Sequence, residues 1–164
     1  MPDNSNVQTT LATDCGSMTT RRGEDSFPDQ HIIGKMVRSV SEMLARSGDG
    51  NNHTVAAAIY AEDGLIYSGV NLYHFTGGPC AEIVALARLA SDGGGAKPLA
   101  IVAVADRERG IIAPCGRCRQ ILTDYCPEIQ VVLKAEHGIR AMPLTAILPY
   151  VYLRADRPGI TRIV

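Results

Sequence analysis

Pro79-Cys80-Ala81-Glu82, followed further along by Pro114-Cys115-Gly116-Arg117-Cys118, is the broken stretch around which the rest of the chain is organised. Two cysteines separated by two residues hold their sulfurs one helical turn apart and can chelate one ion, and Cys80 adds a third thiol. A Cys-x-x-Cys pair alone is common and carries moderate weight. Glu82 sharpens the reading. Two residues after Cys80 at a helix start, it cannot readily bind the same ion, so its carboxyl stands beside the metal as a general acid and base would. A structural zinc normally closes its shell with four protein ligands, whereas three thiolates leave a place for water, whose pKa zinc lowers from about 15.7 to about 7. Three buried thiols, or a closed structural zinc with a further ligand, leave Glu82 without a role.

Outward from this stretch, the flanking patterns decide the fold class. From Cys80 to about Ser91, Ile83, Val84, Leu86, Ala87 and Ala90 fall at helical spacing until Asp92-Gly93-Gly94-Gly95 stops them. Leu99 to Ala105 is a short apolar run suited to a strand covered on both faces, and Arg107 to Gly110 forms its exit loop. Pro114 then opens a second helix that continues through Cys118, Ile121, Leu122 and Tyr125 to Pro127. Each unit places a cysteine at a helix N-terminus, where partial positive charge favours the thiolate.

Upstream, His31 to Arg46 carries an apolar face at helical spacing and ends at Gly48-Asp49-Gly50. Thr54 to Ala61 and Leu65 to Val70 read as a hairpin across Glu62-Asp63-Gly64, with Ala56, Ala57 and Ala58 suited to a strand beneath closely packed helices. Downstream, Gln130 to Lys134 and Ile139 to Met142 form two further strands across His137-Gly138, and Leu144 to Leu148 makes one helical turn. This order predicts a mixed sheet layered with helices.

With 164 residues, 46% of them hydrophobic, the chain is long enough for one core and too short for two ordinary domains. A formal net charge of -1 gives no global reason to bind nucleic acid or an anionic membrane. With neither a secretory signal pattern nor an apolar run of membrane-spanning length, a cytoplasmic setting is the expectation. Residues 1–28 are polar without sustained period and read as a mobile tail, residues 29–153 as the functional domain, and residues 154–164 as a C-terminal tail. The cysteine count of five is odd, which suits thiolate ligands in a reducing compartment better than a disulfide framework. Cys15 then reads as an exposed thiol and Cys126 as a small buried hydrophobe.

The same residues resemble the cytidine deaminase superfamily, whose motif is Cys or His-Ala-Glu followed by Pro-Cys-x-x-Cys. Gly69 to Glu82, Arg109-Gly110-Ile111 and Pro114 to Gln120 resemble its blasticidin-S deaminase branch most strongly, over about Thr54 to Tyr152. The resemblance implies a three-layer α/β fold, a five-stranded mixed sheet with flanking helices, assembled as a homotetramer with sites at subunit boundaries. It implies a zinc cofactor held by Cys80, Cys115 and Cys118, with Glu82 as the proton shuttle. Its substrate contacts, carried over by position, are Thr54, Asn71, Arg109 and Tyr152, with Tyr150 the alternative to Tyr152. The implied partner is a small-molecule cytosine nucleoside, deaminated hydrolytically to the uracil form and ammonia. Tyr73 and His74 occupy the places of a Glu and an Asn that hold ribose in ordinary cytidine deaminases, and the chain has no tryptophan to match the one near the C-terminus of the blasticidin branch. Blasticidin S or a related peptidyl nucleoside is therefore the first expectation, cytidine or deoxycytidine the second, and a zinc-stabilised binding module without turnover the reading of a different class.

Overall fold

A computed structural model describes residues 28–153. The expected tails and Cys15 lie outside these residues, except Pro28, whose side chain is fully buried.

Helix α1 (Gln30–Ser47) starts where the Asp29 carboxylate accepts the Ile32 N–H at 2.8 Å. Strands β1 (Val55–Ala61) and β2 (Ile66–Val70) form the hairpin. Then come α2 (Ala81–Asp92), β3 (Pro98–Ala105), β4 (Gly110–Ile112), α3 (Gly116–Tyr125), β5 (Gln130–Ala135), β6 (Gly138–Pro143) and the single turn α4 (Leu144–Ile147). Five strands make a continuous mixed sheet in the order β2-β1-β3-β5-β6, parallel only between β3 and β5. The sixth, β4, pairs antiparallel with the end of β3 and lies off that path. Part of the expected exit loop is thus ordered as sheet; at three residues, β4 is too short to show an alternating pattern.

Alternation along the central strands builds two cores. Ala56, Ala58, Val102 and Val104 face α1, where Ile33, Met36 and Val40 are buried. Ala57, Ile59, Ile101 and Ala103 face the other way, toward Ala81, Ala85 and Leu89 of α2 and Leu122 of α3. The alanines of β1 therefore accept helices on both sides. On β2, Gly69 lets α2 come closer still: a Cβ there would lie 2.5 Å from Val84 Cγ1. Further along, the helices α2 and α3 leave between them a largely apolar groove of about 570 Å³ whose walls include Ile83, Leu86, Ile121 and Tyr125. No helix among the described residues is long and apolar enough to cross a membrane.

Candidate active site

Two loops deliver the motif residues to adjacent helix starts. Cys80 is the N-cap of α2 and Cys115 the N-cap of α3, both with extended backbone, and Cys118 lies buried in the first turn of α3. Their three sulfurs all lie within 4.8 Å of one another, with Cys80 Sγ and Cys115 Sγ 3.8 Å apart. Zinc–sulfur bonds of about 2.3 Å at tetrahedral angles put two sulfurs about 3.8 Å apart, so the donor set fits a tetrahedral zinc.

The loop before α2 is held by backbone proximity and by α3. Gly78 passes the Leu72 carbonyl so closely that a Cβ would lie 1.7 Å from that oxygen, and Arg117 Nη1 donates to Gly78 O at 3.3 Å. Arg119 donates through Nε to Pro114 O at 2.8 Å and through Nη1 to Ile147 O at 3.0 Å, fixing the residue before Cys115. Both guanidinium groups thus brace the loops that carry Cys80 and Cys115.

Glu82 is 4% exposed in the first turn of α2. Burial raises its pKa, and its own backbone N–H and the Cys118 thiol oppose that only in part. Burial likewise raises the Cys80 and Cys118 thiols. At Cys115 burial works the same way, but hydrogen bonds from the Cys118 N–H, the Cys118 and Cys80 thiols and the Arg117 N–H outweigh it and lower the pKa. Cys126, by contrast, is a buried C-cap whose thiol is pushed up to about 12 by burial and takes no part in the cluster.

Glu82, Cys80 and Cys115 share a cavity of about 370 Å³ with Val55, Asn71 and Tyr73. Of the other residues expected at the site, Thr54 and Arg109 lie in a neighbouring polar pocket of about 610 Å³, which Tyr73 also lines. Asn71 faces the cavity but braces the loop: its Oδ1 accepts the Thr54 and Val55 N–H groups, each at 2.8 Å, and its Nδ2 donates to Asn52 O. Tyr152 is not brought to either cavity. Gln120 pairs with its backbone N–H and carbonyl, and its side chain, like that of Tyr150, is exposed. His53 Nδ1 lies 2.8 Å from Asn71 O and His74 Nδ1 2.6 Å from Thr76 Oγ1, both as loop packing. Tyr73, which the sequence places where ordinary relatives hold ribose, lines both cavities; it is 71% exposed, and the Tyr73 N–H bond to Asn52 O, which no local pattern announces, fixes its backbone there.

A three-layer α/β/α domain with a zinc-competent thiolate triad and a buried carboxyl at two helix mouths defines a metal-dependent hydrolase of nucleobase-deaminase type. The chain belongs to the cytidine and deoxycytidylate deaminase family, whose zinc-binding region model matches residues 31–134. It is 29% identical over 130 residues to blasticidin-S deaminase from Bacillus cereus, covering 73% of this chain and 91% of that protein. It is 38% identical over 111 residues to cytidine deaminase from Sporosarcina psychrophila, covering 62% and 76%. The cytidine deaminase structure from Burkholderia pseudomallei superposes with a TM-score of 0.60 at 26% identity, covering 73% of this chain and 98% of that one. Zinc is accordingly the cofactor that the sulfur cluster serves.

Proposed function

We propose that the chain hydrolyses the 4-amino group from the cytosine ring of a free nucleoside, with blasticidin S or a related peptidyl nucleoside as its substrate. The observation that carries the reaction is Glu82, buried and in one cavity with Cys80 and Cys115. Zinc, when bound, supplies a water activated for attack at neutral pH. Cys80, Cys115 and Cys118 would hold the ion; the carboxyl of Glu82 takes one proton from the attacking water and gives it to ring N3, then takes the proton of the hydroxyl added at C4 and gives it to the amine, whose bond to C4 breaks so that it leaves as ammonia and C4 becomes a carbonyl. Burial suits Glu82 to this alternation, because it brings the charged and neutral forms closer in energy.

The choice of substrate is supported by Tyr73 and His74, which stand where ribose-holding residues would be expected, and by the likeness to the Bacillus cereus enzyme over most of its length. Cytidine or deoxycytidine, as in pyrimidine salvage, is the second reading, favoured by the higher identity to the Sporosarcina protein. Thr54, Asn71 and Arg109 are the substrate contacts within one chain. Tyr152 points to solvent and reaches a substrate only across a subunit boundary, in keeping with a homotetramer; exposed Leu72, Tyr73 and Phe75 supply apolar surface for such a contact. Sedimentation analysis of the zinc form tests this: a monomer at micromolar concentration removes Tyr152 from the site. The need for reduced thiolates supports a cytoplasmic setting.

Glu82→Gln tests the reaction. Zinc content stays at the wild-type level while ammonia release falls by at least about a hundredfold. Undiminished turnover sinks the proton-shuttle role, and a wild-type protein that releases no ammonia is a binding module instead. A parallel ultraviolet assay of blasticidin S, cytidine, deoxycytidine and cytosine decides the substrate, with comparable rates on cytidine and the antibiotic defeating the narrow reading.

A further inference from the structure

Beyond α4 the chain runs over the surface, yet its main chain is held. Leu144 is buried, whereas the two tyrosines that follow α4, Tyr150 and Tyr152, are 95% and 74% exposed. Side chains so exposed bury little apolar surface in their own chain, so packing does not set their direction. Two consecutive residues of α3 supply the hold instead. Arg119 Nη1 donates to Ile147 O at the end of α4, and Gln120 takes the main chain of Tyr152 in both directions. Its Oε1 accepts the Tyr152 N–H at 3.1 Å, and its Nε2 donates to Tyr152 O at 2.8 Å.

That is the two-bond exchange a residue of a neighbouring antiparallel strand would offer, made here by one side chain. Gln120 Nε2 also donates to Asp124 Oδ1 at 3.1 Å, one turn further along α3. A carboxylate only accepts, so this bond fixes which end of the amide carries its oxygen, and three of the four hydrogen bonds the amide can form are in use. Fixing a long glutamine costs rotamer entropy, and the return is the direction of an exposed ring rather than burial of an apolar group. The anchor itself is firm: Gln120 lies two residues beyond Cys118 on the same helix.

The Glu82 cavity lacks such a ring. Its aromatic lining residues are Tyr73 and His74, both exposed, so within one chain no buried aromatic face meets a pyrimidine bound there. Gln120 lines neither that cavity nor its polar neighbour.

We propose that Gln120 is a positioning residue for the deamination: it straps the main chain of Tyr152 so that the ring is presented, ready oriented, to the Glu82 cavity of a second copy of this chain. The strap rests on the reading that Tyr152 serves a site across a subunit boundary, and adds the residue that sets its direction. A side chain whose backbone is fixed before contact loses less freedom on binding, which is what the strap contributes.

A double-mutant cycle on blasticidin S turnover by the zinc enzyme tests it. Gln120→Ala raises KM by about tenfold with a smaller effect on kcat, and Tyr152→Ala raises it at least as much. The double variant is no worse than Tyr152→Ala alone, because a strap without its ring has nothing to position. Additive losses, or zinc content that falls in step with activity in Gln120→Ala, assign Gln120 to support of the sulfur-bearing helix and overturn the proposal. The chain contains no tryptophan, so Tyr152→Trp places a single reporter on the arm. Its fluorescence anisotropy in the zinc form falls when Gln120→Ala is added, and an unchanged value overturns the strap. The boundary reading fails by a different result: Tyr152→Ala with wild-type KM shows that the ring serves no site, whatever Gln120 does, and the proposal falls with it. If no nucleoside yields ammonia, the same cycle is run as calorimetric titration of blasticidin S into zinc-loaded Glu82→Gln protein. A non-additive loss of affinity there upholds the strap, and an additive loss or none overturns it.

Discussion

Residue by residue, the motif was the most legible part of the chain. The spacing of Cys80, Cys115 and Cys118 announced a shared ion because the ligand chemistry is local to two helix starts, and the sulfurs do converge. Substrate contacts were harder to read, because they depend on where loops cross. Asn71 lines the cavity while spending most of its amide on backbone groups, and Tyr152 faces away because Gln120 holds its main chain. Gly78 shows the same dependence on long-range approach, since the oxygen its Cβ would strike belongs to Leu72. Gly78→Ala must displace the loop that leads into Cys80, and we expect a loss of about 1–3 kcal/mol in urea unfolding together with weaker zinc retention. Unchanged stability and zinc affinity would mean the loop shifts freely.

Elements followed from periodicity wherever they were long. The apolar stripe of α1 and the continuous run of β3 appear close to their expected bounds, whereas β4 was hidden because three residues carry no period. Between α1 and β1 the connection depends on one side chain. Asp49 Oδ1 accepts the N–H groups of Asn51, Asn52 and His53 at 2.7–2.9 Å, and Asn52 Nδ2 donates to Oδ2 at 3.1 Å. These bonds, led by that from His53, hold the carboxyl well below the usual aspartate range. A depressed folded-state pKa contributes stability above the unfolded value of about 3.9, and that contribution is lost as pH falls through the folded one. Asp49→Ala should therefore lower Tm at pH 7, and the gap to wild type should narrow steadily below about pH 4. A gap independent of pH would assign the effect to the loop backbone instead.

For the whole molecule, one observation joins fold to chemistry: the sheet is covered by α1 on one face and by the two cysteine-bearing helices on the other. Layering was legible from element order, since strands interleaved with helices leave few other ways to bury both faces of β3. Zinc binds the native arrangement, so chelation should lower Tm and re-addition restore it, with an increase that grows with free zinc as linkage requires. A Tm indifferent to zinc would show that the ion contributes nothing to holding the fold. The groove between α2 and α3 sharpens this expectation. Both helices carry sulfur ligands at their N-terminal ends, so the ion acts as a rivet between them. With the rivet pulled, the groove can widen and offer Ile83, Leu86 and Ile121 to any hydrophobic dye in solution.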